Sequence, residues 1–300
     1  MRKSLFLIIV LLAFLTSCQK KMYTLEEDGG VVAKCRITGM EEHGESIEQI
    51  DSILTLRLKH VAPGVIPTIR YNEPDSTYAI ELPGLKTERI APLFAHGNMT
   101  ISEIYTYPEV VQMEVGMNLV DSIRYYYTLE MTLNPSLLLS NINEVAVATV
   151  DSIIGVNRER ANFPEDIKFA WEYVDGERAN LYMLRDTDAN ININRTFKKS
   201  AIKPGIEDRY DQMDITLNDE GAEQFYDLTK KNIGRILVIC VDNTVLLAPM
   251  VYSEIEGGQI TISGTRSKSG LMLLNSLLYS PIIKSDIEIL ATTIVDKPNI

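Results

Sequence analysis

Three histidines, His43, His60 and His96, are what this chain of 300 residues has for bases that titrate near neutrality. A Ser–His–Asp or Cys–His relay needs one of them beside a nucleophile and an orienting partner. None has an elbow motif nearby. All three fall in or beside the first two expected helices, at solvent-facing or end positions, and read as surface histidines. Their scatter also argues against a His-built metal site. Carboxylates are plentiful, so pairs such as Glu41-Glu42 and Glu207-Asp208 carry no acid–base signal and read as solvated faces. Asp186, Asp188 and Asn190 alternate as in a calcium loop, but Ile191 stands where such a loop needs Gly and Phe197 where it needs Glu. That stretch reads as a polar loop. Gly257-Gly258 lacks the strand-to-helix context of a phosphate loop and reads as a hairpin turn. No catalytic residue, metal site or cofactor is expected, and the chain is not expected to be an enzyme.

The clearest chemical signal is Cys18. Met1-Arg2-Lys3 gives a positive start, and an almost unbroken apolar run follows from Ser4 to Leu15. The run is short of the roughly 20 helical residues that span a bilayer, and it fits the core of a signal peptide. It ends in Leu15-Thr16-Ser17-Cys18, which resembles a bacterial lipobox. Residues 1–17 are therefore expected to be a lipoprotein signal peptide, Cys18 the lipidated residue, and 18–30 a tether. The expected location is the periplasmic side of the cell envelope, held to a membrane by lipid. Gln19 is not acidic, which favours the outer over the inner membrane. In such a compartment Cys35 and Cys240 are able to pair. Cys240 lies within the apolar run Ile236 to Val241, which reads as a central strand holding a buried thiol.

Asp plus Glu number 41 against 29 Lys plus Arg, a net charge of −12 that repels phosphate backbones, so no nucleic-acid partner is expected. With 45% hydrophobic and 23% charged residues the chain can fold around a core. Val31 to Thr38 reads as a strand. From Ser46 to Val61, Ile47, Ile50, Leu54, Leu58 and Val61 recur at helical spacing. Ile66 to Tyr71 and Tyr78 to Leu82 read as strands, Lys86 to His96 as a second helix, and Met99 to Tyr105 as a strand. This β-α-β-β-α-β order is the split βαβ, ferredoxin-like pattern. Residues 106–164 read poorly, and Pro135 to Ile153 suits helix or strand equally. Beyond them come strand-like alternation from Lys168 to Leu184 and a strand from Asp211 to Leu217. A helix through Ala222, Phe225 and Leu228 follows, with Asn218 as its N-cap. The strand at 236–241, a strand from Gln259, a Leu-rich helix to Tyr279 and a last strand from Ile287 to Thr293 complete the chain. The expected class is α+β: a ferredoxin-like base (31–105 plus 282–296), a connecting region (106–164) and an inserted α+β head (165–281).

Gly221-Ala222, Phe225, Thr229, Asn232 and Gly234 lie on and just past one helix. Asp242 ends the next strand, Ala248-Pro249 follow, and Ile255, Gly257-Gly258 and Ile262-Ser263-Gly264 precede the Leu-rich helix. In order and spacing this stretch resembles the head of the first large periplasmic domain of SecD, the accessory subunit of the bacterial Sec export machine. Upstream, Val65 to Ile69, Glu81-Leu82-Pro83-Gly84-Leu85 and Asp28-Gly29-Gly30 resemble that family's base subdomain, and Phe163 to Trp171 its lead into the head. Departures are Glu26 for an Asp, Arg235 for a Lys, Arg266 for an aromatic, Leu271 for an Ala, and Ser280-Pro281 in place of a Gly-Ala-Leu-Pro exit. The sequence ends at Ile300, so the expectation carries no transmembrane bundle and no proton-driven motor.

The resemblance implies a non-enzymatic, lipid-anchored module that assists protein export or the handling of unfolded polypeptide. Expected partners are Sec translocon components or exported chains, bound by strand addition or apolar pockets. Tyr252, Arg266, Leu246 and Leu247, near the expected turns and strand edges, are the candidate polypeptide-binding residues. The alternative is a diverged envelope lipoprotein that keeps the fold as a binding or structural module for an unrelated partner.

Overall fold

A computed structural model of the chain describes residues 23–86, 90–117, 127–129, 136–140, 144–158, 163–173, 178–204, 211–263 and 267–297. Cys18, Arg266 and the pair Glu207-Asp208 lie outside the described residues. The strands are β1 (Gly30–Thr38), β2 (Thr68–Asn72), β3 (Thr77–Pro83), β4 (Met99–Glu103), β5 (Tyr127–Leu129), β6 (Ser136–Ser140), β7 (Ile167–Tyr173) and β8 (Arg178–Arg185). They continue as β9 (Ile191–Asn192), β10 (Phe197–Pro204), β11 (Asp211–Leu217), β12 (Leu237–Val241), β13 (Thr244–Leu247), β14 (Gln259–Ile262) and β15 (Asp286–Val295). Longer helices are α1 (Ile47–Val61), α2 (Tyr107–Met117), α3 (Glu144–Val156), α4 (Asp219–Lys231) and α5 (Lys268–Leu278). The chain divides into two units, one built from the residues up to His96 with those from Ile283 onward, the other from Gly97–Ile282.

The first unit carries an antiparallel sheet in the order β15-β1-β3-β2. That is the order in which a split βαβ unit sets its strands, fourth, first, third, second. Alternation along β1 buries Val31, Ala33, Cys35 and Ile37 on one face. Helix α1 starts in a capping box: the Ser46 hydroxyl accepts from the Gln49 amide, and the Gln49 side chain accepts from the Ser46 amide at 2.8 Å. It buries Ile50, Leu54 and Leu58 of the expected stripe and adds Ile53, while Ile47 and Val61 at its ends stay half-buried. Arg57 is wholly buried on the same helix. Its guanidinium donates to the carbonyls of Leu93 (2.6 Å), Ala95 (2.5 Å) and His96 (2.8 Å).

Two expectations for this unit change. The helix expected from Lys86 to His96 is, where described, a single 3₁₀ turn at Ala91–Phe94, with Pro92 in its first turn. Residues 93–96 then run as a strap held by Arg57, a packing solution that apolar spacing could not disclose. Met99–Glu103 is a strand, as expected, but it belongs to the other unit, where it pairs with β12 and β9. The base sheet takes β15 as its last strand instead. A period-two pattern identifies a strand but not its partner.

In the second unit a larger sheet runs β5-β6-β8-β7-β13-β12-β4-β9, and a smaller one β10-β11-β14. The stretch Pro135 to Ile153 contains both candidates: strand β6, then the start of α3. Strand β12 is buried on both faces. Leu237, Ile239 and Val241 join a core with Ile215, Phe225, Leu228 and Leu271, while Val238 and Cys240 join Ala170, Tyr182 and Val245. This is the central strand the apolar run predicts. Cys35 and Cys240 are both buried free thiols, and burial pushes them up to about 11 and about 12 respectively. Gly257 and Gly258 have positive φ and form a tight turn, but β13 and β14 lie in different sheets, so the turn closes no hairpin. A Cβ on Gly258 would fall 2.8 Å from the Cβ of Ala222, which restricts that position to glycine.

Candidate functional site

Helix α4 and the turn after it build the end of the second unit where Tyr252, one of the expected site residues, lies. The Asn218 side chain caps the helix by accepting from the Gly221 amide at 2.9 Å. A Cβ on Gly221 would stand 2.5 Å from the Cβ of Thr196, so glycine lets the helix approach that closely. Phe225 and Leu228 face the core. At the far end the Thr229 hydroxyl donates to the carbonyl of Phe225 at 2.8 Å and accepts from the Ile255 amide at 3.0 Å. Asn232, also buried, donates through its amide to the Leu228 carbonyl (2.9 Å) and to Glu103 (2.8 Å).

These groups pin a loop. The Gly234 amide donates to the Val251 carbonyl at 2.7 Å, and the Val251 amide to the Arg235 carbonyl at 2.9 Å. Gly234 has φ 78° and open space where a Cβ would be, so backbone conformation rather than crowding requires it. The segment 251–255 is thereby laced to the turn 232–235 and presents apolar side chains outward. Tyr252 is 84% exposed, Ile233 49% and Ile255 38%.

Of the expected residues, Tyr252 is presented on this loop. Leu246 and Leu247, on β13, are half-buried and pack against the core beside Ile239, so the structure does not bring them to the loop. Arg266 lies outside the described residues. Ile233 went unnoticed in the sequence and Ile255 stood there only as part of the turn motif, because isolated apolar residues in turns have no periodicity to mark them.

Beside the loop is an open cleft of about 610 Å³, lined among others by Glu103, Arg185, Thr187, Asp188, Lys231 and Arg235. Glu103 sits at the end of β4 and is buried. It accepts from Lys231 at 3.0 Å as well as from Asn232. Burial alone would raise its carboxyl, but these hydrogen bonds and the charges of Lys231 and Arg185 outweigh it and hold the group below the ordinary glutamate value. Arg185, at the end of β8, pairs with Glu109 at 2.6 Å, lies 3.8 Å from Asp166, and stacks 4.0 Å over the Tyr105 ring. Tyr105 donates its hydroxyl to Asp166. Burial first, then the Asp166 hydrogen bond and charge, push that phenol well above its ordinary value. Lys231 and Arg185 are thus held in ion pairs. The buried Glu103 carboxylate is kept ionised by a cation and an amide, which suits an ion-pair partner and not a proton donor near neutrality. Among the described residues no group of three His, Cys, Asp or Glu could hold a metal ion.

Residues 194–280 match the family "SecDF, P1 head subdomain". Among curated proteins, the chain is 33% identical over 136 residues to the protein translocase subunit SecD of Sebaldella termitidis, covering 43% of this chain and 34% of that protein. It is 34% identical over 109 residues to SecD of Acidaminococcus fermentans, covering 36% and 26%. To SecDF of Thermus thermophilus it is 33% identical over 88 residues, covering 28% and 12%. The chain thus spans about a third or less of the length of these relatives. Two solved structures are similar. The crystal structure of SecDF in super-membrane-facing form has 18% identity and a TM-score of 0.49 over 96% of this chain and 34% of that one. A structure described as a membrane component SecDF that enhances protein export has 16% identity and a TM-score of 0.46, over 87% and 98%.

Proposed function

We propose, for a chain that belongs to the SecD periplasmic domain family through its P1 head, a role in protein export as a non-enzymatic module that handles unfolded polypeptide. The observation that carries the reading is the head match over residues 194–280, which contains the laced loop and its exposed Tyr252. An exposed aromatic flanked by Ile233 and Ile255 on a rigid frame offers apolar contact without a shaped pocket, and this suits a binder of many sequences. No catalytic step and no proton-driven step enter the reading.

In this reading Cys18 is lipidated and tethers the module on the periplasmic side of the envelope, with the outer membrane favoured. Sec translocon components or exported chains are its partners. Among the described residues no helix is long and apolar enough to cross a membrane. The test is an in-cell photocrosslink from a reactive residue replacing Tyr252, with the captured proteins identified by mass spectrometry. Capture of translocon subunits or of many exported chains is expected. Capture of one unrelated envelope protein would overturn the reading and favour a fold retained for another partner.

A further inference from the structure

The two edges of the first unit's sheet are built differently. Strand β2 has five residues, lies between Pro67 and Pro74, and carries Arg70 at its centre. Shortness, proline and charge are the devices that keep an edge strand from pairing with another chain. Strand β15 has ten residues without proline, and from Ile289 to Val295 it carries no charge. Among the described residues it pairs with β1 alone, so no strand lies beside its outer amides and carbonyls. Its side chains are open as well. Ile287, Ile289, Thr292 and Ile294 stand opposite Ile37, Cys35, Ala33 and Val31, which form the buried face of β1. On β15 itself Ile287 and Ile289 are only half-buried, and Ile294 is 66% exposed. In the split βαβ pattern a second helix covers that half of the sheet. Here the stretch expected to form it is, where described, one 3₁₀ turn.

We propose that the free edge of β15 accepts an extended segment of unfolded polypeptide as an added strand. The segment would carry apolar side chains at alternate positions, on the face of Ile289 and Ile294. This is a second contact for polypeptide, separate from the Tyr252 loop, and it selects by backbone conformation and alternation, not by apolar content alone. Charge narrows the occupant. Asp286 and Glu288 lie before the uncharged run, and Asp296 and Lys297 follow it. A neutral segment with basic flanks fits these ends, whereas an acidic one meets like charges. A second copy of β15 fits less well than a flexible segment. The bulge at Leu290 interrupts the edge and leaves only Ala291–Val295 regular, and a flexible chain can bend to follow it.

The test adds synthetic peptides to the full chain and reads hydrogen exchange segment by segment. One peptide alternates Val with Thr between Lys flanks. A second has the same composition with its valines in one block. A third is the first with N-methyl groups on its central residues, which removes amides from both of its edges. The alternating peptide should slow exchange across Leu290–Val295 by roughly tenfold or more, and the other two should protect this segment far less. Ile294→Lys places a guard charge on an exposed position and should abolish the protection, while Tyr252→Ser should leave it intact. Equal protection by the N-methylated peptide, or binding without new protection of β15, would overturn the strand acceptor while the Tyr252 reading stands. Protection already present in the free chain and lost on dilution would overturn it too, and assign the edge to a second copy. No binding of any peptide would overturn both readings.

Discussion

Replacing Arg57 by Met should loosen the first unit while keeping most of its packing, because Met retains the apolar stem and deletes the guanidinium. Three carbonyls lose a charged donor: Leu93 in a buried bond, Ala95 and His96 in partly buried ones. A buried carbonyl left unpaired costs about 1–3 kcal/mol, and the partly buried ones, which can turn to water, about half to one each. Releasing the buried charge offsets part of this, so a net loss of about 2–4 kcal/mol is expected. That is a large fraction of the stability of on the order of 5–10 kcal/mol normal for a unit of this size. With two units in the chain a single unfolding free energy is poorly defined, so hydrogen exchange read peptide by peptide is the assay. The reporter is Ile283, whose amide donates to the His96 carbonyl at 3.1 Å. Its exchange should accelerate by a factor of ten or more, which corresponds to a loss of about 1.4 kcal/mol or greater, while peptides of β11 and α4 stay unchanged. Arg57→Lys should fall between, since one ammonium cannot serve three divergent carbonyls. Unchanged exchange at Ile283 in the Met variant would refute the reasoning, because the strap would then owe nothing to the guanidinium.

Other outcomes follow from the same geometry. Gly221→Ala places a Cβ within 2.5 Å of the Thr196 side chain and should cost about 1–3 kcal/mol by overpacking, read as a lower melting temperature. Asp242 has φ 53° and accepts from the amides of Gly97 and Asn98 on separate oxygens, so Asp242→Asn, which keeps one acceptor, should cost about 1 kcal/mol and Asp242→Ala, which keeps none, about 1–2 kcal/mol in urea unfolding. Glu103 is held below the ordinary glutamate value, so its contribution is present above the unfolded-state pKa and lost as pH falls through the lower folded-state one. Glu103→Gln should therefore flatten the acid side of the larger unit's stability curve, a difference seen in thermal melts below about pH 5. Cys35 and Cys240, raised to about 11 and about 12, should resist a thiol reagent at pH 8 in the folded protein and react on denaturation.

Much of the fold was legible because local patterns carried it. The alternation of Val31, Ala33, Cys35 and Ile37, the stripe of α1 and the two-faced burial of β12 all follow from period and composition. The head motif was legible too, and its residues explain themselves physically: Gly221 and Gly258 permit close approach, and Thr229 and Asn232 satisfy the end of α4. What escaped was non-local. Nothing within Met99–Glu103 says that it pairs with β12 and not with β1, and the strap at 93–96 depends on an arginine 36 residues or more away. The site was half visible for the same reason. Tyr252 stood out as an aromatic among turn residues, but Glu103, Arg185 and Arg235 meet in the cleft through tertiary contacts alone.

The pairing of β1 with β15 sets an order of events during folding. Gly30 waits for Val295, so the sheet of the first unit stays open until Val295 has been made. Loop-closure entropy rises with the logarithm of the intervening length, and contacts this distant slow folding. Once Gly97–Ile282 has folded as a unit, however, that length no longer behaves as a flexible loop. His96 and Ile283, the residues just outside it, exchange hydrogen bonds in the native state, so the folded insertion delivers its two flanks side by side. A variant that slows the folding of Gly97–Ile282, such as Gly221→Ala, should then delay protection of β1 even though it touches no residue of that sheet.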